Sequence, residues 1–483
     1  MQPNPIYQRL GPGLVAAALL VAPTTSQNQV HDVLSGLKSF DLAHVTVPPD
    51  RPEWFSTTVF LEGEELELQL VQQSVWAQDA VVEVHRQDGA IDFLPAPAPN
   101  TYTGHVVGVP GSAVFASLMT DGLHASIGMP GREIRMIEPV DGKAGVHAVY
   151  RAQDVDAKPS SCEEPAIEGD HADLVVPQVP SSNSGSGSSS NKAVAGTAYV
   201  AELALDTDFE YCQTFILNTA LILDELAMVV NNANGLGFTA GGTGITHILT
   251  KAVIRLSPAD PYSSTDGATI NGEQVTEWTT NETDTPYDLV LLFTGKDTCS
   301  TGPSGCGLAG RANVIGDVCN RDTAFCFTEY RANDITQFQI AAHELGHLWD
   351  GRHCDNDPGS GCVGVGPCRL MCSTINGCDN IVALWGFGSC NAGRVIAHRD
   401  SRTCLDTATD VEWVEWKNFP SIGAGTLVDP WNSLGIAVNN ISDGGTIVIF
   451  EGASSTSPLE TVPLTIDKHV RIQAFNGPAT IDN

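Results

Sequence analysis

The stretch that decides the fold is AHELGHLWDGRHC, at residues 342–354. It overlaps an amphipathic run, residues 335–349, which predicts a helix. His343 and His347 stand four residues apart, so their side chains project from one face of that helix and can bind the same metal ion. His353 lies six residues beyond His347 and can join them only if the helix ends and the chain turns back. Three imidazoles and one open position are the coordination of a catalytic zinc ion.

Glu344 follows the first predicted ligand in sequence and stands beside the metal position rather than on it. A carboxylate in that place can take a proton from a zinc-activated water, so we expect Glu344 to be the general base. Surface histidines on a solvated helix are the plainer explanation, but chance seldom produces the HExxH pattern together with a third histidine. Asp355 is an alternative third ligand if His353 is out of reach.

The surroundings of this segment resemble a known family. Residues 343–353 are similar to the HExxHxxGxxH signature of the metzincins, and the neighbouring sequence resembles the reprolysin (adamalysin, ADAM-type) branch. Met371, within CRLMC at 368–372, is similar to the methionine turn that lies beneath the zinc in that family; an ordinary core methionine is the alternative. The resemblance implies an α/β metzincin domain with one catalytic Zn²⁺ that hydrolyses peptide bonds in proteins.

One residue departs from the family pattern. Asp350 stands where the family has a glycine at the turn after the second histidine, and Gly351 follows it. A turn of this kind often needs positive φ, which aspartate tolerates better than most residues. We therefore expect a working turn. A zinc-binding pseudoprotease is the alternative function if the aspartate distorts the site.

Other segments carry the same resemblance. Residues 202–208 and 291–296 resemble the first and third strands of reprolysin domains. The resemblance also implies a disulfide between Cys319 and Cys404. An edge strand that lines the substrate in the family, where a peptide can add by β-augmentation, is matched by Gly307, Leu308, Ala309 and Gly310. An ordinary edge strand is the alternative.

Charge and length narrow the functions further. The 483 residues include 57 acidic and 24 basic side chains, which gives a net charge of −33. A chain this negative repels nucleic acid and anionic membranes, so we exclude nucleic acid as a partner. Its length predicts two or three domains. The surplus of carboxylates leaves Ca²⁺ open as a second bound ion, and the oligomeric state is not indicated.

Residues 1–26 have the features of a signal peptide. Arg9 precedes a short apolar run at residues 14–21, and small and polar residues follow. The run is too short to span a bilayer, and the sequence contains no longer one. The sequence therefore predicts a secreted protein without stable membrane insertion. An incidental apolar patch on a disordered N-terminus is the alternative.

Residues 30–165 predict an all-β domain, because short alternating runs are separated by Gly, Asp and Pro. Its segments at 100–105, 108–112 and 121–124 resemble a reprolysin propeptide, which assists folding and keeps the protease latent. A Ser/Gly-rich linker follows at residues 180–192. The strands are predicted at 56–61, 65–71, 81–85, 104–107, 113–118 and 133–137.

Residues 193–408 alternate strand and helix patterns, which indicates an α/β layered domain. One continuous helix is predicted over 209–232, and the chain after residue 354 is predicted to be rich in loops. Residues 410–483 change character again and resemble the first coil of a parallel β-helix, with short strands at 442–450 and 464–474. A protein that binds surfaces through this C-terminal segment is a further alternative function.

Thirteen cysteines support export, and their placement is informative. Twelve lie between Cys212 and Cys404 and predict a disulfide framework, which leaves Cys162 unpaired. A thiolate is a good zinc ligand, so Cys162 is a candidate latch that fills the open coordination position in the precursor. A free cysteine in a disordered segment, or one bonded to another domain, is the alternative.

Overall fold

In the computed structural model the described residues are 33–61, 63–156, 160–163, 199–300, 306–365, 368–375, 378, 386–407, 411–416, 430–441, 446–453, 466 and 470–481. The predicted signal peptide and the Ser/Gly-rich linker lie outside these ranges. Within them, no helix combines the length and the apolar character needed to cross a membrane.

The N-terminal part of the chain is rich in β-strands, as the alternating sequence predicts. In Trp54–Leu61 every second side chain is buried, so one face of the strand packs into a core with Leu68, Val114 and Ile127. The strands of this part are β1 Asp41–His44, β2 Trp54–Leu61, β3 Glu64–Gln72, β4 Trp76–His85, β5 Ile91–Pro95, β6 Thr101–Val106, β7 Ala113–Leu118, β8 Leu123–Gly128, β9 Arg135–Pro139, β10 Val146–Arg151 and β11 Ser160–Glu163. Eight of them form an antiparallel sheet in the order β1-β10-β9-β8-β7-β6-β3-β2.

The next part is a mixed α/β region. Its central strand, Leu289–Thr294, is entirely apolar except for its last residue and is buried on both faces, as expected for a parallel strand covered by helices. The elements are β12 Tyr199–Thr207, α1 Phe209–Thr214, α2 Thr219–Asn232, β13 Ile245–Arg255, α3 Gly267–Thr280, β14 Leu289–Thr294, β15 Leu308–Ala312, β16 Phe325–Glu329, α4 Asp334–Leu348, β17 Thr374–Ile375, α5 Gly388–Asp400 and β18 Asp406–Thr407.

The continuous helix predicted over residues 209–232 was wrong. Ile216 and Leu217 adopt positive φ angles of 50° and 58°, which no α-helix contains, and they separate α1 from α2. The Asn218 side chain accepts hydrogen bonds from the backbone of Ala220 and Leu221 and starts α2 as its N-cap. Helix α5 corrects a second expectation, because this region was predicted to be rich in loops.

Three strands of the N-terminal part, β4, β5 and β11, belong to the α/β sheet and not to the antiparallel sheet. Strand β4 pairs in parallel with β13, and β5 pairs with β4, so this hairpin extends the α/β sheet at one end. Strand β11 pairs in parallel with β15 at the other end. The resulting order is β17-β11-β15-β16-β14-β12-β13-β4-β5. Strands from the N-terminal part of the chain therefore pair with both β13 and β15, and β17 pairs with the outer edge of β11.

Residues near the C-terminus form a small parallel sheet in the order β19-β20-β21. Its core includes Val414, Ile447 and Ile449. The parallel order is compatible with the predicted β-helix-like coil but does not confirm it. The elements are β19 Val411–Val414, α6 Leu434–Asn440, β20 Thr446–Ala453 and β21 Arg471–Thr480.

The disulfide framework is smaller than predicted. All thirteen cysteines lie in the described ranges, and Cys212 and Cys326 are unpaired and buried, like Cys162. Cys326 lies inside strand β16 in the core, and the Cys212 sulfur contacts the Thr207 hydroxyl at 3.2 Å. An even number of cysteines in one block therefore did not mean that all were paired. The disulfides join Cys299 to Cys306, Cys319 to Cys404, Cys354 to Cys368, Cys362 to Cys390 and Cys372 to Cys378.

Candidate metal centre

Helix α4 presents the histidine motif to the interior of the protein. Asn333 caps the helix, because its side chain accepts a hydrogen bond from the backbone N–H of Thr336. Phe338 and Leu345 anchor the helix in the core beneath the sheet. His343 and His347 follow in the second half of the helix, and both side chains are fully buried.

The chain turns back directly after α4. Asp350 has a φ of 68°, which confirms the expectation that this residue adopts the left-handed conformation. The N–H of Gly351 donates to the carbonyl of Gly346 at 2.8 Å, and this bond closes the turn. The turn carries His353 back toward the two helical histidines.

Arg394 of α5 stabilises this turn. Its Nη2 atom lies 2.7 and 2.8 Å from the two carboxylate oxygens of Asp350, and its Nε donates to the Asp350 carbonyl at 3.0 Å. The pair is buried, so the charge of Asp350 is balanced where water does not reach it. Sequence reasoning missed Arg394, because α5 was predicted as loop and lies far along the chain.

The turn brings the three predicted ligands together. One nitrogen atom from each of His343, His347 and His353 lies within 4.8 Å of the others, and all three side chains are buried. The Nδ1 atoms of His343 and His347 donate to the carbonyls of Leu370 and Gly351, at 2.6 and 2.8 Å. These bonds leave the Nε2 lone pairs free to bind a metal ion.

The residues present fit a zinc ion. His347 Nε2 is buried with no hydrogen-bond partner among the described residues, and His343 Nε2 lies only 3.3 Å from His353 Nε2. Burial lowers the pKa of His343 to about 3 and that of His353 to about 4, so both rings are neutral at pH 7. Neutral imidazoles with converging lone pairs are the donor set that zinc requires.

Met371 lies against the turns that hold these ligands. It is fully buried, and its thioether occupies the space where side chains on two glycines would stand. A Cβ atom on Gly346 would approach the Met371 sulfur to 2.8 Å, and one on Gly351 would approach its methyl group to 3.3 Å. The methionine is therefore packed directly on the metal-binding helix and its turn.

Glu344 is buried beside the histidines. Its carboxylate lies beside the Cys162 thiol, within 4.8 Å of the sulfur. Burial raises the pKa of Glu344 to about 8, whereas a divalent cation nearby would act in the opposite direction. Gly310 makes room for it, because a Cβ atom there would come within 2.8 Å of the Glu344 side chain.

These features agree with the comparison with known proteins. Residues 224–354 match the family model described as metallo-peptidase family M12B, reprolysin-like. The chain carries a reprolysin-like metallopeptidase domain. Among solved structures, metalloproteinase-II from Bacteroides fragilis is similar, with 9% sequence identity, a TM-score of 0.40, and coverage of 70% of this chain and 89% of that chain. No curated protein matches the chain.

The metallopeptidase domain has a slot beside its metal centre, and the chain's own strand β11 lies in it. The N–H of Ser161 donates to the carbonyl of Gly307 at 3.1 Å on one side. The N–H of Cys162 donates to the carbonyl of Ser373 at 2.9 Å on the other side. Between these walls, the Cys162 sulfur lies within 4.8 Å of ligand atoms of His343 and Glu344. The slot thus holds one extended strand with a thiol beside His343 and Glu344.

Gly307, Leu308, Ala309 and Gly310 form the β15 wall of this slot, where Cys162 stands opposite Gly310. Asp355, considered as a replacement ligand, instead supports the other wall: its carboxylate accepts hydrogen bonds from the N–H and hydroxyl of Ser373 at 2.9 and 2.6 Å. It stands apart from the group formed by the three histidines. Calcium, which the sequence left open, finds no support in the described residues.

Proposed function

We propose that this protein is a secreted zinc-dependent endopeptidase that is made as a latent precursor, with His343, His347 and His353 as zinc ligands. The observation that carries the proposal is the slot. An extended segment of polypeptide is bound there by backbone hydrogen bonds on both sides, across three neutral histidines and a buried carboxylate. A peptide substrate that replaced β11 would be held in the same way by β-augmentation.

The mechanism follows from the chemistry of the residues around the slot. Zinc, when bound, supplies Lewis acidity that activates a water molecule and polarises the scissile carbonyl. Glu344 accepts the proton of the attacking water and passes it to the leaving amine nitrogen. The backbone of Gly307 and Ser373 aligns the peptide, and the packing of Met371 keeps α4 and its turn in register.

Latency is proposed to rest on Cys162. Its thiol is buried beside His343 and Glu344, and burial together with the charge of Glu344 raises its pKa well above the ordinary value. A metal ion favours the thiolate form and binds it directly. The N-terminal region, residues 30–165, would then be a propeptide that presents Cys162, with residues 193–408 as the catalytic domain.

Secretion is supported by the predicted signal peptide at residues 1–26 and by the disulfides, which form in oxidising compartments. The pseudoprotease alternative was motivated by Asp350, and that residue adopts a regular left-handed turn with a paired charge. The alternative in which the C-terminal strands bind a surface has no specific observation in its favour.

The first test is hydrolysis of an unfolded protein by the chain cut at the 180–192 linker, with and without a chelator. We expect activity that the chelator removes and zinc restores. Glu344→Gln should lower kcat about a hundredfold to ten-thousandfold and retain zinc. His353→Ala should lose zinc, whereas Asp355→Asn should keep it. A bound zinc ion without any activity would refute the proposal in favour of a non-catalytic zinc protein.

A further inference from the structure

A charged pair lies in the slot next to the metal centre. Glu163 follows Cys162 on β11 and stands directly opposite Arg311 of β15. The Arg311 Nε atom lies 3.6 Å from a carboxylate oxygen of Glu163. Cys162 is the β11 residue beside His343 and Glu344, and Arg311 pairs with the next residue along the strand. In any strand that fills the slot, Arg311 would therefore face a residue adjacent to the one beside His343 and Glu344.

Arg311 is held in place from behind. Its Nη1 atom donates to the side-chain oxygen of Asn271 on α3 at 2.8 Å, and its stem packs near Gly267. Only 14% of the Arg311 side chain is exposed. A guanidinium fixed in this way loses little freedom when a carboxylate binds, so it selects its partner by geometry as well as by charge.

The pair in the precursor is incomplete. Arg311 Nε, the Asn271 amide nitrogen and one Glu163 carboxylate oxygen are buried without a hydrogen-bond partner among the described residues. Buried donors that lack an acceptor cost free energy, and a carboxylate that approaches closer would recover it. The slot therefore offers a better fit for an acidic side chain than β11 itself supplies.

The opposite end of the slot differs. There Arg331 contacts the neutral hydroxyl of Ser160 at 3.4 Å, and its charge is already paired with Glu329. The Arg331 guanidinium therefore already has a carboxylate partner. The preference for acid is confined to the end that Arg311 lines.

We propose that Arg311 is a specificity-determining residue that selects substrates with Asp or Glu one residue from the scissile bond. This inference rests on the proposed peptidase function and adds the class of substrate. The direction in which a substrate runs decides on which side of the scissile bond the acidic residue stands, so the test scans both sides.

The experiment uses quenched peptides that differ only by Glu, Gln or Lys at the positions flanking the scissile bond, cleaved by protein cut at the linker. We expect kcat/KM to favour Glu over Gln about tenfold at one flanking position. Arg311→Gln should abolish this ratio, and Arg311→Glu should reverse it toward Lys, which misfolding cannot mimic. Arg331→Gln is the matched control and should keep the ratio. Equal rates for Glu and Gln in the wild type, or an unchanged ratio in Arg311→Gln, would overturn the inference.

A binding measurement separates this inference from the proposed function. Zinc-loaded Glu344→Gln protein, cut at the linker, is titrated with the same peptides and followed by fluorescence anisotropy. Tighter binding of Glu peptides that depends on Arg311, without hydrolysis by the wild type, would support the acidic subsite and refute the peptidase. Hydrolysis by the wild type without any preference for Glu peptides would support the peptidase and refute the acidic subsite.

Discussion

The same N-terminal region pairs with the metallopeptidase sheet in two different ways. At the slot, β11 contributes four residues, and its Cys162 backbone N–H bonds to the opposite wall. At the far end, β4 contributes ten residues and β5 adds a second strand outside it. The short strand places a thiol beside His343 and Glu344, whereas the long hairpin extends the sheet by two strands.

The far end is bound through a buried core. Trp76, Val82 and Val84 of β4 are buried in one cluster with residues of β12 and β13. Each such side chain contributes about 1.5–3 kcal/mol when it is removed from water. Glu83 of the same strand lies 3.0 Å from Lys251 of β13, a lysine that is only 1% exposed. The hairpin therefore attaches the N-terminal region to the α/β sheet independently of Cys162.

The largest effect is expected from Trp76→Ala. Truncating this buried side chain should lower the free energy of unfolding by about 3–5 kcal/mol, because it leaves a cavity in the shared core. Trp54→Ala is the matched control, since Trp54 is 49% exposed, and it should cost no more than about 0.5 kcal/mol. Chemical denaturation measures both. Similar losses in the two variants would show that the far end is not a shared core.

The second largest effect is expected on the free energy of unfolding at low pH. Burial raises the pKa of Glu83, but the bonds and charges of His85 and Lys251 outweigh it and lower the pKa from 4.5 to about 2. A depressed pKa stabilises the folded state above the unfolded value, and this stability is lost as the pH falls from about 4.5 toward 2. Glu83→Gln should show a shallower loss of unfolding free energy over that window than the wild type.

The exposed Glu65→Gln variant provides the control for this measurement, and its acid dependence should follow the wild type. If Glu83→Gln also followed the wild type, Glu83 would not be a source of the acid sensitivity of the far end.

The smallest effect on stability is expected at the slot. Cys162→Ser should change the free energy of unfolding by about 1 kcal/mol or less, because it replaces one small side chain on a short strand. It should nevertheless raise the peptidase activity of the uncut chain, since a hydroxyl is a much poorer zinc ligand than a thiolate. Cys212→Ser is the matched control, because Cys212 is also a buried unpaired cysteine but lies in α1, and it should leave the chain latent.

Activation of the uncut chain by both Cys162→Ser and Cys212→Ser would indicate general loosening of the fold rather than loss of a latch. Activation by neither variant would show that latency does not depend on the thiol and would leave the backbone of β11 in the slot as its source.

Much of the metal centre could be predicted from local sequence. The spacing of His343 and His347 on an amphipathic helix requires that they share a face, and Asp350 is among the few residues that adopt positive φ easily. The paired helices α1 and α2 could not be separated in this way. Their apolar pattern runs on through Ile216 and Leu217, and only the backbone conformation shows the break.

The strands that pair with β4 and β11 could also not be predicted from the sequence. Alternation identifies a strand and its buried face, but it does not name the neighbour, because any strand edge presents the same backbone donors and acceptors. Arg394 was missed for a related reason. Its role depends on the buried carboxylate of Asp350, which is distant in sequence and adjacent only in the fold.

By itself, the sequence determined the class of the site: three imidazoles, a carboxylate and a turn whose spacing suits one catalytic zinc. The tertiary structure decided what surrounds that site. It placed β11 across the slot, set Glu163 opposite Arg311, and joined the N-terminal hairpin to the far end of the sheet. Local spacing can encode ligands that share one helix and its turn, whereas contacts between distant strands arise only when the whole chain buries its apolar surface.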